Sequence, residues 1–398
     1  MALVAAVAPR DRVLQGAGVS ARSRLHGPQD RQRAPGIRRG RHRIGFGKTP
    51  YPPPRTSRYD RPHDGEATLT ERVRFGVVSA ANIGRRVVIP AILAAGNAEL
   101  VAIGSSSDAG AAYLRESGLD VRLHGSYEAL LADPEVDAVY IPLPNHLHNE
   151  WSKRAADAGK HVLCEKPAAL DAAETADMIE HCESRGVVWM EAFMYRYHPQ
   201  WAAVRRLLDE GGVGELRTVR SVFTFTVRDP ANIRRRPEYG GGSLYDVGSY
   251  CVNVARWMFG RPPVVVTGIA QPSPEGVDED FLGILDFGSG RSAQFVSSLS
   301  QPYRHHVQLL GTSGTITVAQ AFVLRSDDVT IEHTDADGVT RSISVGGDDE
   351  YRLEVEDFAR CVIEGRQPEV VSHEDTLWNM RTIDALHASA REGRAVRL

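Results

Sequence analysis

The chain reads as an α/β half with a doubly wound parallel sheet, followed by an α+β half built on a large, mainly antiparallel sheet. Three observations predict this. Short apolar runs alternate with helical stretches from Arg72 to about residue 195, the β-α-β-α order that calls for a parallel sheet. Beyond that point, residues 215–227 alternate apolar with polar side chains (Leu216, Val219, Val222, Phe223, Phe225, Val227), as a half-buried antiparallel strand does. Further strand-like runs follow near 263–270, 279–287, 291–299, 304–310, 315–319, 329–333 and 340–345.

Taken in order, residues 73–78 are expected as a buried strand and 83–95 as a helix made irregular by Pro90. The turn between them, Ser79-Ala80-Ala81-Asn82-Ile83-Gly84, stands where a dinucleotide site wants G-x-G-x-x-G. Small residues there let the backbone approach a pyrophosphate resting on the helix N-terminus. Ser79 and Ala81 fill the first two glycine positions, and only Gly84 is kept. Residues 99–104 give the second strand, ending in Ser105-Ser106-Ser107. A site for NAD places a carboxylate there for the ribose 2′-hydroxyl, yet the first acid is Asp108, expected to start the next helix. Hydroxyls without a carboxylate leave room for a 2′-phosphate approached by Arg85 or Arg86, which favours NADP over NAD. The same serines also suit helix capping.

A helix over 109–117, a short helix ending at Leu131 and the Asp133-Pro134 turn lead to a strand over 138–141. Two prolines keep its exit, Pro142-Leu143-Pro144-Asn145-His146-Leu147-His148, extended across the crevice mouth. His146 and His148 have no carboxylate at metal-site spacing, so no metal site is expected. After a helix over 149–158 comes His161-Val162-Leu163-Cys164-Glu165-Lys166-Pro167. Here an apolar strand delivers Glu165 and Lys166 at its carboxyl end, the side on which open α/β sheets bind ligands. Pro167 biases Lys166 away from helical dihedrals. A helix over 172–185, closed by Gly186, and a strand over 187–190 running into Glu191 to Pro199 end the first half.

In the second half, Arg236 to Tyr250 stands apart. Gly240, Gly241 and Gly242 permit close approach of backbone to a ligand. Asp246 and Tyr250, four apart, share one face of a helix over 248–258 if it has begun by Asp246. A glycine-rich loop with Asp246 as helix cap reads the same residues structurally. Helices over 351–364 and 376–392 are expected to pack back on the first half. The exposed face of the second sheet needs a cover, and a second copy of the chain would supply it.

The expected partition is a disordered Arg-rich extension over 1–70, consistent with an over-called translation start; a dinucleotide-binding domain over 71–195; a substrate-binding and oligomerisation domain over 196–350; and C-terminal helices over 351–398. Residues 1–70 hold 13 Arg and one Lys against five Asp or Glu, so the net charge of −4 hides a more acidic remainder. That extension has no aromatic interleaving and no periodic apolar face, so no nucleic-acid partner is expected. No apolar run reaches the ~18 residues of a membrane span. Cys164, Cys182, Cys251 and Cys361 lie far apart, which suits a reducing, cytoplasmic compartment.

On the glycine-poor first turn, Pro144-Asn145 with His148, Glu165-Lys166-Pro167, Glu191 to Pro199 and Gly240 to Tyr250, residues 72–398 resemble the glucose-fructose oxidoreductase, inositol dehydrogenase and rhizopine-catabolism (Gfo/Idh/MocA) family. The resemblance implies a Rossmann domain holding NAD(P), a second domain whose sheet makes dimer contacts in a homodimer or homotetramer, and a small sugar or polyol substrate. Tyr250 stands where many members carry His. The chain is thus more similar to the branch of glucose-fructose oxidoreductase, dimeric dihydrodiol dehydrogenase and NADP-dependent D-xylose 1-dehydrogenase, in which a Tyr works with the Lys.

A phenol with a pKa of about 10 is a poor base at neutral pH. The Lys166 ammonium is expected to lower it and to hydrogen-bond the reacting oxygen. Tyr250 is therefore expected as general acid/base, Lys166 as its electrostatic partner and Asp246 as a ligand of substrate hydroxyls. The resemblance places Arg196 and His148 on the nicotinamide and phosphate side. The other expected cofactor positions are Ser79, Ala81, Asn82, Ile83, Gly84, Arg85, Ser105, Ser106, Pro142, Leu143, Pro144, Asn145, Glu165 and Lys166. Tyr195, Arg228, Asn232 and Arg236 are candidates for the pocket wall. The leading expectation is NADP-linked oxidation of an aldose at C1, xylose-like. The alternatives are dihydrodiol oxidation, glucose-fructose oxidoreductase chemistry and reduction of a 3-keto nucleotide sugar. Outside enzymes, a dinucleotide-sensing transcriptional co-regulator is disfavoured, since a pure sensor needs neither Lys166 nor Tyr250.

Overall fold

A computed structural model describes residues 72–398; the expected extension over 1–70 lies outside the described residues. The first sheet contains β1 (Val73–Val78), β2 (Ala98–Gly104), β3 (Arg122–His124), β4 (Ala138–Ile141), β5 (His161–Glu165) and β6 (Trp189–Ala192). Its order is β3-β2-β1-β4-β5-β6, parallel throughout. Helices α1 (Ile89–Ala94), α2 (Asp108–Ser117), α3 (Tyr127–Leu131), α4 (His148–Asp157) and α5 (Ala172–Ser184) connect the strands. All of β4 and β6 is buried, because helices cover both faces of such a sheet. Strand order reverses between β1 and β4, which opens a crevice at their carboxyl ends.

After α6 (Pro199–Asp209), the second sheet contains β7 (Leu216–Thr226), β8 (Val265–Pro272), β9 (Asp278–Gly288), β10 (Arg291–Ser298), β11 (Ser300–Gly311), β12 (Thr315–Val318), β13 (Val329–Thr334), β14 (Thr340–Val345) and β15 (Val396–Arg397). Its order is β14-β13-β12-β11-β7-β10-β9-β8-β15; β7 and β10 run parallel, and the other recorded pairings are antiparallel. Helix α7 (Ser249–Phe259) lies between β7 and β8 in the chain and is buried along most of its length. Along β9 the inner Phe281, Gly283, Leu285 and Phe287 are buried while Leu282 and Ile284 face outward.

The chain ends in α8 (Glu350–Glu364) and α9 (His373–Glu392). Phe358 of α8 packs on Phe75 of β1 with ring centroids 5.7 Å apart, and Asn97 Nδ2 donates to the Glu356 carbonyl at 2.9 Å. Helix α9 touches both halves. The Ala172 amide donates to Asp384 at 2.9 Å, and the Gly268 amide of β8 donates to Ser389 Oγ at 2.9 Å.

Several elements depart from the sequence expectation. The helix expected over 83–95 opens with a π-helical turn, Gly84–Val88, before α1. Pro90 has no N–H to give the carbonyl four residues back, and that Arg86 carbonyl lies 3.5 Å from Arg325 Nη2 instead. The expected helix over 149–158 begins at His148, after a 3₁₀ turn over Asn145–Leu147. Strands β3 and β15 and helix α6 are additional.

Candidate active site

Strand β5 carries Lys166 to the crevice, and the Lys166–Pro167 peptide is cis. The turn is held from below, where the Ala168 amide donates to Glu191 Oε1 at 3.0 Å. Burial pushes that carboxyl up to about 8. His148 ties the two crevice loops together. Its Nδ1 lies 2.8 Å from the Pro167 carbonyl and its Nε2 2.8 Å from the Leu143 carbonyl. Carbonyls only accept, so a neutral ring serves one of them at a time. Burial, the largest influence, lowers the imidazole to about 4. The ring is wholly buried and acts as a staple; the structure does not present it to the crevice as the resemblance implied.

From the other half, the glycine-rich loop runs into a π-helical turn over Leu244–Gly248 and then into α7. The three glycines answer to the protein's own chain. A Cβ on Gly242 (φ +114°) would stand 2.1 Å from Asp278 Oδ1, and one on Gly241 would stand 2.6 Å from the Arg234 carbonyl. Asp246 is not the cap of this turn. Asp278 is, with Oδ2 accepting from the Leu244 amide at 2.7 Å and from Ser243 Oγ at 2.9 Å; burial pushes its carboxyl up to about 6.

The two halves meet at Asp246. Lys166 Nζ donates to the Asp246 carbonyl at 2.7 Å and lies 3.4 Å from Oδ1, while Arg234 Nε donates to Oδ2 at 2.7 Å. Both carboxylate oxygens are thereby engaged within the protein, in place of the expected role as a free ligand for substrate hydroxyls. Burial alone would raise this carboxyl, but Arg234 and then Lys166 outweigh it and hold it below the usual range.

Lys166 Nζ stands 5.0 Å from the centroid of the Tyr250 ring, over its face. The Tyr250 hydroxyl itself donates to Met194 Sδ at 3.5 Å. The sequence suggested a lowered phenol, and the structure gives the opposite direction. Burial pushes it well above its ordinary value, and the nearby Tyr351, Glu165, Asp246 and Glu354 act in the same direction. Burial and these neighbours outweigh the Lys166 ammonium, which stands over the ring face.

At the β1 end, Ser79 adopts φ +95°, a conformation natural to the glycine of the usual motif, and its amide donates to the Gly104 carbonyl at 2.8 Å. Ala81 and Ile83 are half-buried and Asn82 is exposed. A Cβ on Gly84 would meet Pro142, Val77 and Tyr140 at ordinary contact distances, so sterics do not demand glycine there. Arg85 Nη2 donates to Asn82 Oδ1 at 2.7 Å, and its buried Nε has no hydrogen-bond partner among the described residues. Tyr113 of α2 reaches back to the Arg85 carbonyl at 3.3 Å. Ser105 Oγ donates to the Ser107 carbonyl at 3.0 Å, whereas Ser106 is exposed. An unpartnered guanidinium nitrogen beside small residues and a positive-φ turn fits the phosphates of a dinucleotide.

Pro142 and Leu143 are buried, Pro144 is half-buried, and Asn145 Nδ2 crosses to the Gly240 carbonyl at 2.8 Å. Glu165 Oε1 accepts from the Tyr140 hydroxyl at 2.6 Å. Arg196, by contrast, is not brought to these residues. Its guanidinium pairs with Asp375 of α9 and lies 4.5 Å from the Trp257 ring centroid, while Tyr195 donates to Asn253 at 2.5 Å inside the core. Arg234, Asp278 and Met194 were not expected in the site. Nothing in the linear pattern separates Arg234 from Arg228, Arg235 and Arg236.

Residues 73–193 match the family model described as oxidoreductase family, NAD-binding Rossmann fold, and residues 201–317 match the GFO/IDH/MocA C-terminal domain. The chain is 41% identical over 325 residues to D-xylose 1-dehydrogenase (NADP(+)) 2 of Haloferax volcanii, covering 81% of this chain and 99% of that protein. It is 31% identical to dTDP-3,4-didehydro-2,6-dideoxy-alpha-D-glucose 3-reductase of Actinomadura kijaniata, covering 80% and 96%. A crystal structure of a 3-ketoreductase from Actinomadura kijaniata in complex with NADP and TDP-benzene superposes with a TM-score of 0.76 at 29% identity, over 80% of this chain and 98% of that one. This chain belongs to the Gfo/Idh/MocA family of NAD(P)-dependent oxidoreductases.

Proposed function

We propose that this protein oxidises a free aldose at C1 with NADP, a xylose-like sugar being the substrate class. The observation that carries the chemistry is the Lys166 ammonium 5.0 Å over the Tyr250 ring, with both groups beside Asp246. The Actinomadura kijaniata 3-ketoreductase has been crystallised with a lysine and, separately, with a tyrosine replaced, and the interval between those two positions equals that from Lys166 to Tyr250. The xylose dehydrogenase relative supports the substrate and the cofactor. The cofactor is further supported by the carboxylate-free end of β2, Ser105-Ser106-Ser107, and by Arg85, whose guanidinium lies 5.9 Å from the Tyr113 ring of the helix that follows.

The dinucleotide supplies the hydride acceptor. Ser79 to Arg85 and Ser105 to Ser106 hold its phosphates, and the Pro142–Asn145 loop borders the crevice. Tyr250, once it has released its own proton to solvent, takes the proton of the C1 hydroxyl as a phenolate and becomes neutral. Lys166 donates to the substrate oxygen and stabilises the phenolate that accepts the proton, and Asp246 fixes the direction of Lys166.

A second copy of the chain covers the open face of the second sheet. Ile269, Leu282 and Val296 are cross-strand neighbours there, continued by Val222, and Ile269 is 62% exposed. Buried, unpaired cysteines support a reducing cytoplasmic setting. The test is cofactor reduction by the full chain with NADP or NAD against xylose, glucose, arabinose, a dihydrodiol and a 3-keto nucleotide sugar with NADPH. Xylose with NADP should turn over fastest. Turnover confined to the nucleotide sugar would overturn the assignment.

A further inference from the structure

We propose that Arg234 is a positioning residue of this site. It grips the Asp246 carboxylate from the loop that precedes the glycines, and so sets where the Lys166 ammonium stands over Tyr250. The inference rests on the dehydrogenase reading above and adds a residue to it.

Asp246 offers Lys166 two acceptors, its carbonyl at 2.7 Å and Oδ1 at 3.4 Å. A carboxylate held on one side only rotates freely about its terminal torsion. Arg234 Nε, at 2.7 Å from Oδ2, removes that freedom and aims Oδ1 at Lys166. Arg234 is itself anchored. Its amide donates to Asn232 Oδ1 at 3.0 Å, and its carbonyl accepts from the Gly242 amide at 2.9 Å. The adjoining Arg235 is tied to the Val227 carbonyl and to Glu279 of β9. The clamp therefore transmits the position of the second sheet to a lysine that belongs to the first.

Charge gives Arg234 a second effect. Lys166 and Arg234 carry two positive charges against the one carboxylate of Asp246. The surplus faces a phenol otherwise surrounded by Glu165, Glu354 and Tyr351. Without Arg234 the Lys166–Asp246 pair is neutral, and the phenolate that forms as Tyr250 loses its proton meets no net cation. Side-chain exposure separates this role from a packing one. Arg234 is 38% exposed while Asp246 and Lys166 are 13% and 12% exposed, so its removal opens no core cavity.

The test compares full-length wild type, Arg234→Gln and Arg234→Lys with NADP and xylose across pH. Arg234→Gln should lower kcat at least about tenfold with little change in KM, and the rise of oxidation with pH should move to higher pH. Arg234→Lys, which keeps the charge, should restore the wild-type pH profile and part of kcat. A crystal structure of Arg234→Gln gives a readout independent of turnover. In it the Asp246 carboxylate, no longer gripped at Oδ2, should turn and carry the Lys166 amine off its place over the Tyr250 ring while the two sheets superpose on the wild type. An unshifted pH profile together with an unmoved Lys166 amine would overturn the role of Arg234. Wild type inert on every aldose would instead count against the substrate assignment, with the crystal structure still deciding the clamp.

Discussion

At Tyr250 a phenol only 5% exposed has a thioether as its hydroxyl's partner, and burial holds it protonated at neutral pH in the free enzyme. A neutral phenol gives a proton to a carbonyl oxygen, and a phenolate takes one from a hydroxyl. Oxidation should therefore accelerate as pH rises through the basic range, and carbonyl reduction should slow over the same range. The check is kcat/KM against pH in both directions. Tyr250→Phe should lose on the order of 100- to 10,000-fold and show no such limb, and a wild-type oxidation rate flat with pH would contradict the assignment. Lys166 was legible in the sequence because an apolar strand, a lysine and a proline in succession mark a crevice position. Its preference for the face of Tyr250 was not, since the approach direction depends on Asp246 and Arg234, which arrive from turns of the second half.

Helix α8 shows how an element built for the core also buries acids. Glu350 and Glu354 lie one turn apart on its inner face, 0% and 1% exposed, where the helical period calls for apolar side chains. Glu350 Oε1 accepts from the Leu324 and Arg325 amides at 3.0 and 3.3 Å, and burial pushes its carboxyl from 4.5 up to about 8. Between those values the folded chain holds a proton that the unfolded chain has released, so wild type loses stability as pH rises through that window. Glu350→Gln keeps an acceptor oxygen and removes the titration. Its Tm should fall less than that of wild type from about pH 4.5 to about pH 8, and parallel Tm curves would show that no buried proton is held there. The two π-helical turns, Gly84–Val88 and Leu244–Gly248, each open a helix at the crevice. Only the first left a trace in sequence, as Pro90. The second follows from how Asp278 and the glycines pack, which a linear pattern does not encode.

For the molecule as a whole, the parallel sheet was readable because strands buried on both faces appear as continuous apolar runs, as in β4 and β5. Strand β3 was not, for Arg122-Leu123-His124 is short and its first two residues are exposed. The parallel pairing of β7 with β10 was equally hidden, because a strand's alternation fixes its faces and says nothing of its neighbour's direction. The open face of that sheet carries Ile269, Leu282 and Ile284, all more than a third exposed. A patch of this kind is expected to be an interface. Ile284→Arg should shift the sedimenting species toward monomer with the far-UV spectrum unchanged, and an unaltered mass would move the interface elsewhere. The central claim is that the first half's lysine and the second half's tyrosine act on the same carbinol. A double-mutant cycle of Lys166→Met and Tyr250→Phe, read as kcat/KM for xylose with NADP, tests it most directly. If the two groups act as one unit, the double variant is no slower than the slower single variant; losses that multiply in the double variant would contradict the shared site.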